Sequence, residues 1–260
     1  MHSPIQTTEA LQAKYEAKEV VDEQKNPSYA GMIETLDRNV GRLVAALKEN
    51  GQMENTILIF FSDNGGSWNG TVNTPLKGAK GTLYEGGIRV PAFLYAPGLY
   101  EGAKTYDYPV ISSDFYPSFM AWAGLKQREE DVLDGQSLLP LLEGHTLAQK
   151  ALFWYYPIYL PGGKYSQGHC AFRTTPACAL RLGDYKLIRF YGEEHDELYK
   201  LTNDIGEQDD LREKEVQKYQ ELQTLMDQWH LDNNVPIPSE TNAKFDGEYA
   251  NLKYDYIRVR

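Results

Sequence analysis

Cysteine is scarce in this sequence of 260 residues. Its two cysteines, Cys170 and Cys178, are too few for a disulfide framework, although they could pair with each other in an oxidising compartment. Seven residues separate them, and no histidine or cysteine set of zinc-site spacing lies nearby, so a zinc site is not expected. The cysteines alone therefore leave the compartment open.

Long apolar runs and positive charge are also in short supply. No run approaches the length of about 18 residues that a membrane-spanning helix needs. The first residues lack the charged-then-apolar pattern of a secretory signal, so no targeting segment indicates the compartment. Because 26 Lys and Arg face 37 Asp and Glu, the net charge is -11. Nucleic acid and membranes are therefore not expected as partners, and an anionic ligand would have to be held by local cations.

The first half of the chain predicts helices that alternate with strands. Asn26 and Pro27 precede an apolar stripe at helical spacing that ends at Gly51, which predicts an amphipathic helix. Five bulky apolar residues at 57–61 predict a strand over 56–62 that is buried on both faces of a mainly parallel sheet. Further elements are predicted as a strand at 90–95, a helix over 114–122, and a turn with a short helix over 134–142.

The pattern changes to short strands beyond about residue 150. Strands are predicted at 152–156, 179–182, 185–190 and 197–201. Gly183 and Asp184 form a tight-turn pair, and apolar residues at helical spacing over 216–229 predict a helix packed on an antiparallel sheet. The predicted organisation is an α/β domain over 1–148, a small α+β subdomain over 149–235 and an extended tail over 236–260.

An acidic and an amide side chain follow the apolar run after one serine. Asp63 and Asn64 lie between the predicted strand and the glycine pair Gly65 and Gly66. In open α/β sheets, ligands collect at the carboxyl ends of strands, and oxygen donors suit a hard cation such as Ca²⁺ or Mg²⁺. The same residues also form ordinary turns in many proteins, so a metal site and a simple turn both remain open.

A glycine-dense loop with three cations comes next, at 77–91. Lys77, Lys80 and Arg89 are its basic residues, and a lysine near a divalent metal would bind a tetrahedral oxyanion and neutralise charge on a leaving oxygen. The alternative is a solvated surface loop. Glu85 and Arg89 are expected to brace the loop by pairing or capping.

Several motifs together resemble the type I sulfatases of the alkaline phosphatase superfamily. The resemblance rests on Ser-Asp-Asn-Gly at 62–65 and on the lysine loop Gly-Ala-Lys-Gly-Thr-Leu-Tyr-Glu-Gly-Gly-Ile-Arg-Val-Pro at 78–91. Further matching segments are 2–6, 134–142, 180–188 and 197–201. The resemblance implies part of an alkaline-phosphatase-like sheet sandwiched by helices, followed by the small subdomain with its antiparallel sheet and C-terminal helix.

Site roles follow from this resemblance position by position. It implies that Asp63 and Asn64 are ligands of an active-site calcium ion. It implies that Lys80 contacts the sulfate and the leaving oxygen and that His2 binds a sulfate oxygen, which are the catalytic and substrate-binding roles. Lys77 is a further candidate for anion contact. By itself, a histidine that follows the first methionine would be read as a mobile terminal residue.

The sequence departs from the family where the nucleophile should be. Type I sulfatases carry a Cys-x-Pro/Ala-x-Arg motif whose cysteine becomes formylglycine, and neither Cys170 nor Cys178 has an arginine four positions on. The upstream aspartates that complete the calcium site are missing as well. We therefore expect the C-terminal portion of a sulfatase, inactive alone, with a weak calcium site, an uncovered apolar surface and the missing N-terminal half as a partner.

Three functional hypotheses remain. The first is hydrolysis of a carbohydrate or aryl sulfate by the complete enzyme, which the resemblance places in the periplasm or outside the cell. The second is a non-catalytic protein that binds sulfated glycans or docks on another chain. The third is a phosphoesterase of the same superfamily. An aromatic and cationic segment from Tyr155 to Arg173, with His169 as a candidate, either lines a substrate pocket or packs between subdomains.

Overall fold

The computed structural model describes residues 2–128, 130–161, 172–192 and 195–238. The chain forms two compact units. One contains the described parts of 1–37, 62–91 and 150–260, and the other contains 38–61 and 92–149. These units interleave along the chain, and the predicted domain boundaries stay a prediction.

The secondary structure is mixed. In the described part of the chain the helices are α1 (Glu9–Glu16), α2 (Pro27–Glu49), α3 (Glu85–Ile88), α4 (Phe115–Trp122), α5 (Leu139–Leu142) and α6 (Val216–Asp232). The strands are β1 (Leu58–Phe61), β2 (Ala92–Tyr95), β3 (Leu152–Tyr156), β4 (Leu160–Pro161), β5 (Phe172–Thr174), β6 (Ala177–Leu182), β7 (Tyr185–Phe190) and β8 (His195–Lys200). None of these helices is both long and apolar enough to cross a membrane. The predicted α/β class is confirmed.

The predicted strand direction in the first half was wrong for the described residues. β1 pairs with β2 in an antiparallel ladder that sets Leu58 opposite Tyr95 and Phe61 opposite Ala92. Burial on both faces was wrong too, because Phe60 is exposed and Phe93 keeps 67% of its surface exposed. An apolar run indicates a buried strand but carries no information about the direction of its neighbour.

The helix α2 confirms the predicted cap, proline and apolar stripe, and Gly51 follows it with a φ of 64°. Much of that stripe is nevertheless uncovered. Exposed apolar side chains on it are Ile33, Leu36, Val40 and Leu43. A contiguous apolar surface of this kind normally faces a partner.

The predicted turn at 134–142 is anchored on the start of α4. The buried carboxylate of Asp114 accepts hydrogen bonds from the backbone amides of Ile111 at 3.0 Å and Gln136 at 2.9 Å. The hydroxyl of Ser118 accepts from the amide of Leu138 at 2.9 Å. These side chains satisfy the backbone groups that a helix start and a turn leave unpaired.

The small antiparallel sheet confirms the prediction for the second half. Its strand order is β3-β6-β7-β8, and Gly183, with a φ of 58°, makes the turn between β6 and β7. One face packs on α6, where Leu187 and Leu198 contact Leu222 and Met226. This face is the helix-packed half of the subdomain core.

The other face of the sheet packs on the lysine loop. Ile188, Phe190 and Tyr199 contact Leu83 and Tyr84. Successive residues of a strand point to opposite faces, so β7 places Lys186 on this face, in line with Ile188 and Phe190. The sheet is therefore buried on both sides, once by a helix and once by the loop.

Candidate active site

The Asp-Asn turn begins two residues after the end of β1. Asp63 is exposed, and its carboxylate makes no hydrogen bond or ion pair with any residue in the described ranges. The hydroxyl of Ser62 donates to the carbonyl of Asn64 at 3.0 Å, and Asn64 Nδ2 donates to the carbonyl of Gly65 at 2.9 Å. The amide nitrogen of Asn64 is thus used locally, and its Oδ1 is left to accept.

Backbone hydrogen bonds tie this turn to the lysine loop. The amide of Gly65 donates to the carbonyl of Gly87 at 2.9 Å, and the amide of Lys80 donates to the carbonyl of Gly66 at 2.9 Å. A Cβ on Gly65 would lie only 1.9 Å from the carbonyl oxygen of Gly86. The two segments predicted to carry the site are therefore brought together, and glycine is required because backbone meets backbone.

Further contacts fix the shape of the loop. The amide of Gly86 donates to the carbonyl of Lys77 at 2.8 Å and closes the loop on itself. Asn73 Nδ2 donates to the carbonyls of Gly66 and Gly78, each at 3.1 Å. Asn73 has no role in the sequence prediction because a lone asparagine nearby carries no signal. The backbone at Lys80 is consequently fixed, while its side chain is half-buried.

The ammonium group of Lys77 is bonded to other residues of the same compact unit. Its ammonium donates to the hydroxyl of Tyr199 and to the backbone carbonyl of Glu207, both at 3.1 Å, and lies 4.1 Å from the ring centre of Tyr84. A cation over an aromatic face is attracted by the ring quadrupole. This geometry gives Lys77 a bracing role, and its predicted contact with an anion stays a prediction that the geometry does not favour.

His2 is exposed, and its Nδ1 lies 3.1 Å from the carbonyl of Ser3. Within the described residues, no hydrogen bond connects it to Asp63, Asn64 or Lys80. No group of three or more His, Cys, Asp or Glu side chains in that part of the chain could hold a metal ion. Asp63 and Asn64 supply the oxygen donors that calcium prefers, but only two residues against a usual coordination of about six to eight.

A buried charge cluster lies at the foot of the loop, and the sequence did not predict it. Lys186 is fully buried, with its Nζ 3.0 Å from Glu85 Oε1 and 2.8 Å from Glu207 Oε1. The second contact is an ion pair and not a hydrogen bond. Glu207 Oε2 accepts from the amide of Glu85 at 2.7 Å. The predicted pairing of Glu85 with Arg89 is present at 3.4 Å, and the stronger partner of Glu85 is Lys186.

The pKa values of the two carboxyl groups in this cluster are shifted in opposite directions. Burial works to raise the pKa of Glu85, but the ammonium of Lys186, with Arg181 and Arg89, brings it below its ordinary value. Burial raises the pKa of Glu207 above its ordinary value against the pull of the same ammonium. Two carboxylates share one ammonium here, and Glu207 is the one that gains the proton more easily.

The second cysteine lies away from this chemistry. Cys178 is fully buried and forms no disulfide with any described residue, and burial raises the pKa of its thiol to about 12. Cys170, Lys164 and His169 lie outside the described residues, and so does the proposed pairing of Cys170 with Cys178. Most of the predicted pocket segment beyond residue 161 also lies outside the described residues.

Two family models match the sequence. The model described as Sulfatase matches residues 1–125, and the model described as N-sulphoglucosamine sulphohydrolase, C-terminal, matches residues 79–234. The chain belongs to the sulfatase family. The two matched regions overlap over most of the lysine loop. Together they include the turn at Asp63 and the four-stranded sheet that packs on the loop.

Curated relatives agree with this assignment. A sulfatase of Formosa agariphila is 35% identical, and the match covers 87% of this sulfatase-family chain and 44% of the relative. The uncharacterised sulfatase YdeN of Escherichia coli is 28% identical, and the match covers 88% of this chain and 44% of YdeN. The chain therefore spans less than half the length of these relatives.

Solved structures share the fold. The crystal structure of Ps i-CgsB in complex with k-i-k-neocarrahexaose superposes with a TM-score of 0.75 at 30% identity, over 96% of this chain and 52% of that one. BT4656 in complex with its substrate D-glucosamine-2-N,6-O-disulfate gives 0.67 at 26% identity, over 82% and 42%. A phosphonate monoester hydrolase from Silicibacter pomeroyi, at 0.60 and 23% identity, is similar in fold alone.

Proposed function

We propose that the complete protein to which this chain belongs hydrolyses sulfate esters, with Lys80 as a sulfate contact and charge stabiliser. The observation that carries the proposal is the hydrogen bond from the amide of Lys80 to the carbonyl of Gly66, which joins the lysine loop to the Asp-Asn turn. A cation and oxygen donors for a metal then belong to one backbone framework. Such a pairing suits an ester whose leaving oxygen becomes negative.

Each side chain has a role in this chemistry. When the S–O bond breaks, the electron pair goes to the departing oxygen, and the ammonium of Lys80 would stabilise that charge and the sulfate oxygens. Asp63 and Asn64 would hold calcium, and His2 would bind a sulfate oxygen. Calcium and formylglycine would supply charge neutralisation and the nucleophile, the latter from residues outside this sequence.

A sulfated carbohydrate is the substrate class that we propose. The support is that two structural neighbours were solved with carbohydrates, one with k-i-k-neocarrahexaose and one with D-glucosamine-2-N,6-O-disulfate. An aryl sulfate remains a convenient assay substrate. The resemblance to type I sulfatases also supports a periplasmic or secreted location.

The remainder of the enzyme is the partner that we propose for this chain, as a separate polypeptide or as the preceding part of the same one. It would cover apolar surface that the chain leaves open on α2 and on the β1-β2 pair, including Leu43 at 55% exposure and Phe93 at 67%. Buried apolar area stabilises association by about 25 cal/mol per Å². It would also add calcium ligands and the formylglycine.

A non-catalytic protein that binds sulfated glycans is the second candidate. The observation that favours it is the small number of metal donors, since Asp63 and Asn64 alone would hold calcium weakly. A phosphoesterase has less support, because the neighbour of that activity shares only the fold.

Activity of the chain with and without an upstream half tests the proposal. The 260 residues would be produced alone and fused to the N-terminal part of the Formosa agariphila sulfatase, with formylglycine formation verified by mass spectrometry. We expect no hydrolysis of an aryl sulfate by the chain alone. The fusion should turn it over, and Lys80→Ala should lower kcat by about 10²–10³.

The exposed Lys104 offers the matched control, since Lys104→Ala removes the same charge elsewhere. Robust calcium-dependent turnover by the chain alone would refute its dependence on an upstream half. A fusion that carries formylglycine but is insensitive to Lys80→Ala would refute the role of Lys80. A fusion that carries formylglycine, binds a sulfated glycan and never turns over would favour the non-catalytic candidate.

A further inference from the structure

Glu207 contacts both ends of the segment that carries Lys80. Its backbone carbonyl accepts from the ammonium of Lys77 at 3.1 Å, three residues before Lys80. Its carboxylate accepts from the backbone amide of Glu85 at 2.7 Å, five residues after Lys80. One residue from a distant part of the chain therefore holds the beginning and the end of this loop.

The charge of Glu207 is itself held in place. Glu207 is fully buried, and Lys186 on β7 lies 2.8 Å from its Oε1 while also pairing with Glu85. A buried charge is tolerated when it is paired and hydrogen-bonded. The pairing fixes the carboxylate where the amide of Glu85 can reach it.

The backbone conformation of Glu207 is a second, independent indication that this position is functionally constrained. Its φ is 52°, in the left-handed region that residues other than glycine seldom adopt. Hydrogen bonds of the surrounding turn accompany this conformation: the carboxylate of Asp204 accepts from the amides of Gln208 and Asp209, each at 2.8 Å. Backbone conformations of this kind persist where the surroundings impose them, and they concentrate at functional positions.

We propose that Glu207, charge-paired with Lys186, is the positioning residue that holds the lysine loop in the geometry Lys80 needs to bind a sulfate group. The inference rests on the proposed role of Lys80. Glu207 itself does not touch the sulfate. It acts through the backbone, because the loop it clamps is the one whose Lys80 amide bonds to Gly66.

Three variants separate this role from general stability. Glu207→Gly removes the carboxylate and also relieves the left-handed φ, so backbone strain cannot explain its effect. Glu207→Gln keeps an oxygen that accepts from the amide of Glu85. Glu213→Gln is the matched control, because Glu213 is an exposed glutamate six residues away.

Amide hydrogen exchange on the full chain is the first measurement. In Glu207→Gly the amides of Lys80, Glu85 and Gly86 should exchange about tenfold faster or more. The amides of β6 and β7 should be accelerated by a smaller factor, because Lys186 on β7 also loses one of its two carboxylate partners. Glu207→Gln should restore part of the protection, because its single oxygen can accept from Glu85 but its NH2 group cannot pair with Lys186. Glu213→Gln should match the wild type. Equal acceleration in β6 and β7, unchanged exchange in the loop, or equal loop exchange in the glutamine and glycine variants would overturn the inference.

Binding of inorganic sulfate is the second measurement, followed through the amide resonances of Lys80 and Gly81. The wild type should show a saturable shift, Lys80→Ala should abolish it, and Glu207→Gly should weaken it by about tenfold. Unchanged sulfate affinity in Glu207→Gly, despite a released loop, would overturn the positioning role. A wild type with no saturable shift would instead refute the proposed sulfate contact of Lys80, and exchange would still decide whether Glu207 holds the loop.

Discussion

Replacing Lys186 by methionine removes the ammonium that two buried carboxylates share. The substitution keeps the apolar stem and approximately the length of the side chain. Glu85, at 2% exposure, would then keep Arg89 and Arg181 as nearby cations, while Glu207, at 0%, would lose its ion-pair partner. We expect a large loss of stability, because an uncompensated buried charge is among the most costly changes in a protein interior.

The magnitude follows from the two contact distances. At an effective dielectric constant of about 20, two unit charges about 3 Å apart attract by roughly 5 kcal/mol. Each of the two contacts of Lys186 is of this length. Desolvation of the ammonium and repulsion between the carboxylates offset much of that attraction, and the net cost of breaking such a buried pair is about 3–5 kcal/mol. That is a large part of a typical total stability of about 5–15 kcal/mol.

Urea unfolding followed by circular dichroism measures this loss across pH. Without Lys186, the pKa of each carboxyl in the folded state should lie above the ordinary value of 4.5, so the folded state binds protons more readily than the unfolded state. The deficit relative to wild type should therefore be largest near neutral pH and shrink as the pH falls towards 4.5. Lys126→Met, at an exposed lysine, is the matched control.

Rescue by charge removal completes the test. Glu85→Gln and Glu207→Gln, added to Lys186→Met, should recover most of the loss because none of the three charges of this cluster remains. A loss below about 1 kcal/mol, or a loss independent of pH, would refute the reasoning that these three charges share one buried environment.

Three further outcomes follow from burial and close contact. Cys178, with its pKa raised to about 12, should resist iodoacetamide at about pH 8 until urea unfolds the chain; peptide mass spectrometry that finds rapid native labelling would contradict this. Gly86→Ala should cost about 1–3 kcal/mol in urea unfolding because its Cβ would lie 2.3 Å from the carbonyl oxygen of Gly78. Gly41→Ala, where the added Cβ points into open space on α2, should instead raise the free energy of unfolding by about 0.5–1 kcal/mol. Equal changes in the free energy of unfolding for the two alanine variants would refute the packing argument. Burial and the nearby Arg189 lower the pKa of His230 below 6.5 despite Asp227, so stability should fall as the pH drops below about 6.5. His230→Gln should flatten that pH dependence, and an unchanged slope would refute it.

The subdomain was predictable because its signals are local. Alternating apolar residues in β7, the Gly183 turn and the helical spacing in α6 each depend on neighbours in sequence. The direction of β1 was not predictable in this way. An apolar run reports burial, and the partner strand β2 lies across a long intervening segment.

The site divides along the same line. The Asp-Asn turn and the lysine loop were found from their composition and spacing, and the structure brings their backbones together. Their ligand roles remain predictions. The burial of Lys186 could have been predicted from its spacing. It lies two and four residues before Ile188 and Phe190 in the same strand, so its side chain points to the same buried face. Glu207 left none, because its contact with Glu85 spans 122 positions.

That separation also bears on biosynthesis. The segment around Lys80 leaves the ribosome well before Glu207 exists to hold it. At about 5–20 residues per second, the 122 positions between Glu85 and Glu207 take roughly 6 to 25 seconds to synthesise. During that interval the glycine-rich loop has neither its carboxylate clamp nor the sheet behind it. The site should therefore be among the last parts of the nascent chain to mature, and a ribosome-bound intermediate that ends before residue 207 should leave Lys77 and Lys80 equally accessible to amine-reactive reagents.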